Sequence, residues 1–119
     1  MWQIDPKKGP VYQQLAQRVV QKLVQGQWLP GQRLPSTKEL ASEAMVNPNT
    51  MTAAYTRLQE LEIIEKKRGK GAYVRDDLDV AKLRQQLLLD YCEQFIIQVK
   101  SLGLNQSDAI KALETREDK

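Results

Sequence analysis

The sequence predicts a mainly α-helical fold with one small β-hairpin, divided into residues 1–75 and residues 76–119. Three observations carry this expectation. Apolar residues recur at helical spacing in several well-capped segments, a basic turn bounded by glycines separates two short β-type runs, and a long apolar helical run begins where the charge changes sign. A chain of 119 residues has room for one modest domain and an appendage.

Residues 1–75 hold 12 Lys and Arg against 6 Asp and Glu, a net of +6, whereas residues 76–119 hold 6 against 9, a net of −3. The first part is therefore the candidate for meeting a polyanion. No run approaches the roughly 18 consecutive apolar residues of a membrane span. The opening MWQIDPKKGP also lacks the apolar stretch of a signal peptide, so a cytoplasmic chain without membrane contact is expected. A single cysteine and no histidine exclude an internal disulfide, the usual zinc ligand sets and histidine acid–base catalysis. No metal or other cofactor is expected. Without paired carboxylates in a cleft or a phosphate loop that opens a helix, an enzyme is not expected either.

In chain order, MWQIDPKKG reads as an arm broken by Asp5-Pro6 and Gly9-Pro10. A helix follows from Pro10 to about Gly26, with Tyr12, Leu15, Val19, Val20, Leu23 and Val24 on one stripe. GQWLPGQRLP is a turn-rich connector in which Trp28 and Leu29 are expected to plug the core. Ser36-Thr37-Lys38-Glu39 forms a capping box and opens a short helix, to about Met45, that buries Leu40, Ala41 and Ala44.

The next helix, Asn47 to Leu61, organises the rest. Asn47 caps it and Pro48 takes the first helical position, where a missing N–H costs nothing. Met51, Ala54, Tyr55, Leu58 and Leu61 face inward; Asn49, Thr50, Thr52, Thr56 and Arg57 face outward. That outward face has short hydrogen-bonding groups and no acid, which suits the edge of a nucleic-acid groove. A plain solvated face would look the same in isolation, and its surroundings distinguish the two. Two short helices joined tightly, the second with a polar outer face, make a helix-turn-helix.

Ile63 to Lys67 and Ala72 to Val74 read as two strands, with Gly69 and Gly71 supplying the positive φ of a tight hairpin. Lys66, Lys67, Arg68 and Lys70 place four cations at its tip, as either phosphate or minor-groove contacts or a solubilising edge. Three helices and a hairpin make a winged helix-turn-helix, with Tyr55 and Tyr73 both inward.

Asp76, Asp77 and Asp79 mark the boundary. From Leu78 to about Leu102 a long helix is apolar over most of its circumference, and a short helix from Gln106 to Glu114 follows, capped by Asn105. The short helix can cover one side only. The other side is expected to meet the same helix of a second copy, through Leu88, Tyr91, Cys92, Phe95, Ile96 and Val99, with packing on the chain's own winged helix as the rival. Cys92 reads as a buried small apolar residue, and residues 115–119 as a frayed tail.

From Pro10 to Val74, the segments PVYQQLAQRV, LPGQRLPSTKELA, NPNT with AYTRLQELEII, and GKGAYV resemble the winged helix of the GntR family of bacterial transcription regulators. The NPNT-x-x-x-AY form and the short two-helix tail resemble its YtrA-like subfamily, in which the tail is a dimerisation element too small for the effector pocket of larger relatives. The resemblance implies that Lys38 meets phosphate, that Asn49, Thr50 and Thr52 face the major groove, and that Arg68 and Gly69 enter the minor groove. Relatives with arginines at the positions of Pro48 and Thr52 use guanine contacts that this chain lacks, so base readout rests on Asn49, Thr50 and Thr52 or on DNA shape.

The expected DNA-binding set is Ser36, Lys38, Asn47, Asn49, Thr50, Thr52, Tyr55, Arg57, Lys67, Arg68, Gly69 and Lys70. The expected function is a homodimeric, sequence-specific regulator, acting as a repressor on an inverted-repeat operator in double-stranded DNA. An effector, if one exists, would be a small molecule that the sequence does not identify. The alternative is a winged-helix module that binds protein instead.

Overall fold

The computed structural model describes residues 2–116, and the expectation of a frayed end falls mainly on residues outside them. The described chain has five helices, α1 (Val11–Val24), α2 (Thr37–Ala44), α3 (Pro48–Glu60), α4 (Val80–Ser101) and α5 (Gln106–Thr115), and two strands, β1 (Ile64–Lys67) and β2 (Gly71–Val74). It divides between Val80 and Ala81 into two compact units.

The first unit is a winged helix. Its core is the buried face of α1 (Leu15, Ala16, Val19, Val20, Leu23) against Met51, Ala54, Tyr55 and Leu58 of α3, with Leu40 and Ala41 of α2 and Ile63, Ile64 and Val74 of the hairpin region. α3 is the central element, packing on α1, α2 and β1. Met51, Ala54, Tyr55 and Leu58 are at most 1% exposed, so the inner stripe of α3 is fixed and its opposite face must point away from the core.

The helix starts follow from the caps. Ser36 Oγ accepts the Glu39 N–H at 3.0 Å while Glu39 Oε1 accepts the Ser36 N–H at 3.1 Å. Asn47 Oδ1 accepts the Asn49 N–H at 2.8 Å, with Pro48 at the first helical position. Between the two helices Met45 adopts a left-handed conformation (φ 60, ψ 45) as the α2 C-cap, and the Val46 N–H bonds back to the Ala41 carbonyl.

The hairpin is antiparallel, with Ile64 opposite Val74, Glu65 opposite Tyr73, Lys66 opposite Ala72 and Lys67 opposite Gly71. The connector contributes more than a turn. Gly31 and Leu34 donate N–H bonds to the Val74 and Ala72 carbonyls, Val74 donates to the Gln32 carbonyl, and Arg33 bridges Tyr73, so residues 31–34 line the second edge of β2.

Several expected positions are corrected. Trp28 is buried, but Leu29 is 62% exposed, because it begins the turn closed by the Gln32 N–H on the Leu29 carbonyl. Leu61 is 47% exposed, because it caps α3 where the chain leaves the helix. Ala44 is half-buried at the end of α2. Tyr73 lies on the outer face of the hairpin, since Ala72 and Val74 on either side of it are buried and strand side chains alternate. The N-terminal arm is tied down: the Trp2 indole N–H donates to Glu43 Oε2 at 2.9 Å, Lys22 Nζ sits 5.1 Å from the Trp2 ring, and Gln14 bonds both the N–H and the carbonyl of Asp5.

In the second unit, α4 and α5 are joined through a turn at Gly103 (φ 80), and Asn105 and Asp108 form a reciprocal capping box at the start of α5. Val99 and Ala109 are buried. Leu88, Leu89, Phe95, Ile97, Leu102, Leu104, Ile110 and Leu113 are exposed in the single chain, as is Cys92, which finds no cover among the described residues of its own chain. Ile96 is half-buried. α5 is one short helix and covers little of the apolar circumference of α4. Among the described residues no helix is long and apolar enough to cross a membrane.

Candidate nucleic-acid interface

The outward face of α3 carries Asn49, Thr52, Thr56 and Arg57 exposed and Thr50 half-buried. Thr52 Oγ1 donates to the Pro48 carbonyl at 3.0 Å and Thr56 Oγ1 to the Thr52 carbonyl at 3.1 Å. With those hydroxyl protons turned back onto the helix, the oxygen lone pairs and methyl groups point outward. Such a face accepts hydrogen bonds from base amino groups and touches thymine methyls. Asn49 adds a donor and an acceptor together, the combination that pairs with adenine. The one carboxylate of α3, Glu60, is exposed in its last turn, away from Asn49, Thr50 and Thr52 at the start of the helix.

Ser36 and Asn47 commit their side-chain oxygens to the caps described above. Their part is to fix where α2 and α3 begin and so to aim Lys38 and Asn49, both exposed. Tyr55 is the clear correction to the expected set. It is 1% exposed and its hydroxyl donates to the Pro35 carbonyl at 2.6 Å, so it supports the interface from beneath. Burial, and secondarily the Glu39 charge, push its phenol far above the ordinary tyrosine range.

At the wing, Arg68, Gly69 (φ 72) and Lys70 form the turn, closed by the Lys70 N–H on the Lys67 carbonyl at 2.8 Å. The four cations are not equivalent. Lys67 Nζ sits 4.4 Å from the centroid of the Tyr73 ring and 4.0 Å from Glu65 Oε1, so it is held on the outer face of the hairpin. Lys66 belongs to the strand, and Arg68 and Lys70 are the cations of the tip itself. Arg75 pairs in a fork with Asp77, both N–O distances being 3.0 Å. That contact holds the Asp77 carboxyl low and the guanidinium high, and it takes Arg75 out of the basic set.

Arg33, in the segment expected to be only a connector, also belongs to this surface. It is exposed, and its guanidinium lies over Gly71, where an added Cβ would come within 3.4 Å of Nε. Its charge also helps hold the Glu39 carboxyl below the ordinary range, after the stronger effects of the Ser36 amide and hydroxyl. The available sequence signal was Gln-Arg-Leu, a polar–apolar alternation, but the four residues between Pro30 and Pro35 are too few for a strand pattern to stand out. Of the six residues expected at a dimer contact, Val99 is buried within its own unit, while Leu88, Phe95 and Cys92 are exposed.

Comparison with known proteins agrees with this geometry. The family model for bacterial regulatory proteins of the gntR family matches residues 11–74. The HTH-type transcriptional repressor YtrA of Bacillus subtilis (strain 168) is 34% identical over 107 residues, covering 87% of this chain and 82% of its own length. A GntR family transcriptional regulator from Listeria monocytogenes superposes with a TM-score of 0.83 at 33% identity, covering 92% of this chain and 96% of that one. The AraR DNA-binding domain in complex with operator ORE1 superposes with a TM-score of 0.51 at 27% identity, over 53% of this chain and 77% of that one. A winged helix whose third helix opens on a polar, acid-free face, a basic wing and a family match over residues 11–74 lead to one assignment: the chain belongs to the GntR family of bacterial transcription regulators.

Proposed function

We propose that the chain is a homodimeric repressor that reads an inverted-repeat operator, with Asn49, Thr50 and Thr52 in the major groove and Arg68 and Gly69 in the adjacent minor groove. The observation that carries this is the outward face of α3. Over its first two turns it offers hydrogen-bonding groups and no acid, and it shares one compact unit with the basic wing. Lys38 supplies a phosphate contact at the start of α2, Arg57 and Lys70 supply others, and Ser36 and Asn47 keep both helices aimed.

Dimerisation belongs to the α4–α5 unit. Leu88 and Phe95, two turns apart on one face of α4, are 54% and 37% exposed in the single chain, and Cys92 between them is exposed too, an apolar face whose burial against a partner is favourable. A second copy related by a twofold axis covers it with an identical surface. Two recognition helices then meet successive major grooves about 34 Å apart, or a multiple of that. The repressor role is supported by the similar YtrA, a repressor by name, and by simple obstruction of polymerase at an occupied operator.

Sedimentation of the protein alone and with an operator duplex tests the stoichiometry, and run-off transcription tests the direction of regulation. Two chains per duplex and reduced transcript are expected. One chain per duplex, or increased transcript, contradicts the corresponding part.

A further inference from the structure

The basic surface does not stop at the hairpin. Residues 32–34 are pinned along the edge of β2 by the Val74 N–H on the Gln32 carbonyl and the Leu34 N–H on the Ala72 carbonyl, both 2.9 Å. Leu34 is buried at 3% exposure, so the backbone at Arg33 is fixed while its side chain is exposed. The bridge to Tyr73 sets Arg33 on the same face of the hairpin as Tyr73 and Lys67.

The guanidinium then extends over Gly71, with Nε and Nη2 at 3.4 Å and 3.5 Å from where a Cβ would stand. Gly71, already required by φ 91, also leaves the seat that the guanidinium occupies. The Arg33 charge also reaches Glu39 in the first turn of α2, next to Lys38 in sequence. No salt bridge joins the two among the described residues, and Glu39 Oε1 accepts the Ser36 N–H in the capping box. Among the described residues the Arg33 side chain has neither a salt bridge nor a hydrogen bond. Its planar fork of N–H donors lies beside Gly71 with no partner among the described residues, and such a fork matches the two oxygens of a phosphate.

We propose that Arg33 is a phosphate-binding residue, its guanidinium gripping the DNA backbone between Lys38 on α2 and Arg68 and Lys70 on the wing tip. It joins two separate groups of contacts into one continuous track along a strand. This assignment rests on the DNA-binding function proposed above.

The test measures the affinity of wild type, Arg33→Gln, Arg33→Lys and the charge control Lys100→Gln for a mixed-sequence duplex across a salt series. Thermal melting of each variant is recorded alongside. Arg33→Gln is expected to weaken binding to every duplex and to lower the slope of log K against log salt by about 0.9. Arg33→Lys retains most of the slope, since the charge remains, but binds less tightly because the fork is lost. Lys100→Gln leaves the slope unchanged.

A wild-type slope in a folded Arg33→Gln protein overturns the proposal. If Arg33→Gln melts early, Arg33→Met keeps the apolar stem along β2 and answers the same question. Wild-type protein that binds no duplex at all overturns the DNA-binding function itself, an outcome distinct from an unchanged slope in the variant.

Discussion

The Tyr55 hydroxyl donates a 2.6 Å hydrogen bond to the Pro35 carbonyl, 20 residues earlier, and ties the buried stripe of α3 to the loop that enters α2. The two helices of the helix-turn-helix are thus joined from inside the core as well as through the turn at Met45. Tyr55→Phe leaves the Pro35 carbonyl unpaired and should cost about 1 kcal/mol in chemical denaturation, with no change in the salt dependence of DNA binding. Because burial raises the phenol pKa in the fold, the stability linked to Tyr55 is present below its ordinary value of 10.0 and is lost as pH rises beyond it. The alkaline limb of a stability–pH profile should therefore be shallower in Tyr55→Phe.

The capping box at Ser36 and Glu39 makes an acid-side prediction. The Ser36 amide and hydroxyl lower the Glu39 pKa, so the associated stability is present above its ordinary value of 4.5 and is lost as pH falls through the lower folded value. Ser36→Ala should cost about 1 kcal/mol at neutral pH. Glu39→Ala should flatten the acid limb of the same profile, measured by urea unfolding between pH 3 and 7.

The proposed interface assigns specificity to Thr50 and affinity to Arg68. Thr50→Ala should broaden the set of sequences bound while leaving the salt slope near wild type, whereas Arg68→Ala should weaken all duplexes alike and lower the slope by about one. Lys67→Ala should lower it by less, since Lys67 is held over the Tyr73 ring. Competition titrations with matched and scrambled duplexes separate these outcomes, and equal loss of sequence preference in Thr50→Ala and Arg68→Ala contradicts the division.

A charge placed on the apolar run of α4 should break the dimer and spare the winged helix. Phe95→Glu is expected to sediment as a monomer. It should bind a full operator far more weakly, because the two half-sites are no longer engaged together. An unchanged dimer would move the subunit contact elsewhere.

The helices were legible because their ends are written locally. Ser36 with Glu39, Asn47 with Pro48, and Asn105 mark starts that the structure places within a residue or two of expectation. The misses lie where long-range pairing or a chain reversal overrides local pattern. Residues 31–34 gain their extended form from β2, forty residues away in sequence, so Arg33 carried no local mark of its position. Leu61 continued an apolar period past the end of α3, and Leu29, expected beside Trp28 in the core, sits in the turn closed by Gln32. Tyr73 and Lys67 could be placed on the outer face of the wing only once the register with Glu65 was known. Tyr55 was legible as core from its spacing, and its hydroxyl bond to Pro35 completes that role.

Selection of bound duplexes from a random DNA pool tests the central claim most directly. An inverted repeat with half-site centres about one helical turn apart, 10–10.5 base pairs, or a multiple of it, is the predicted result. Salt-sensitive binding with no consensus would mean that the outward face of α3 does not read bases, and would contradict the account.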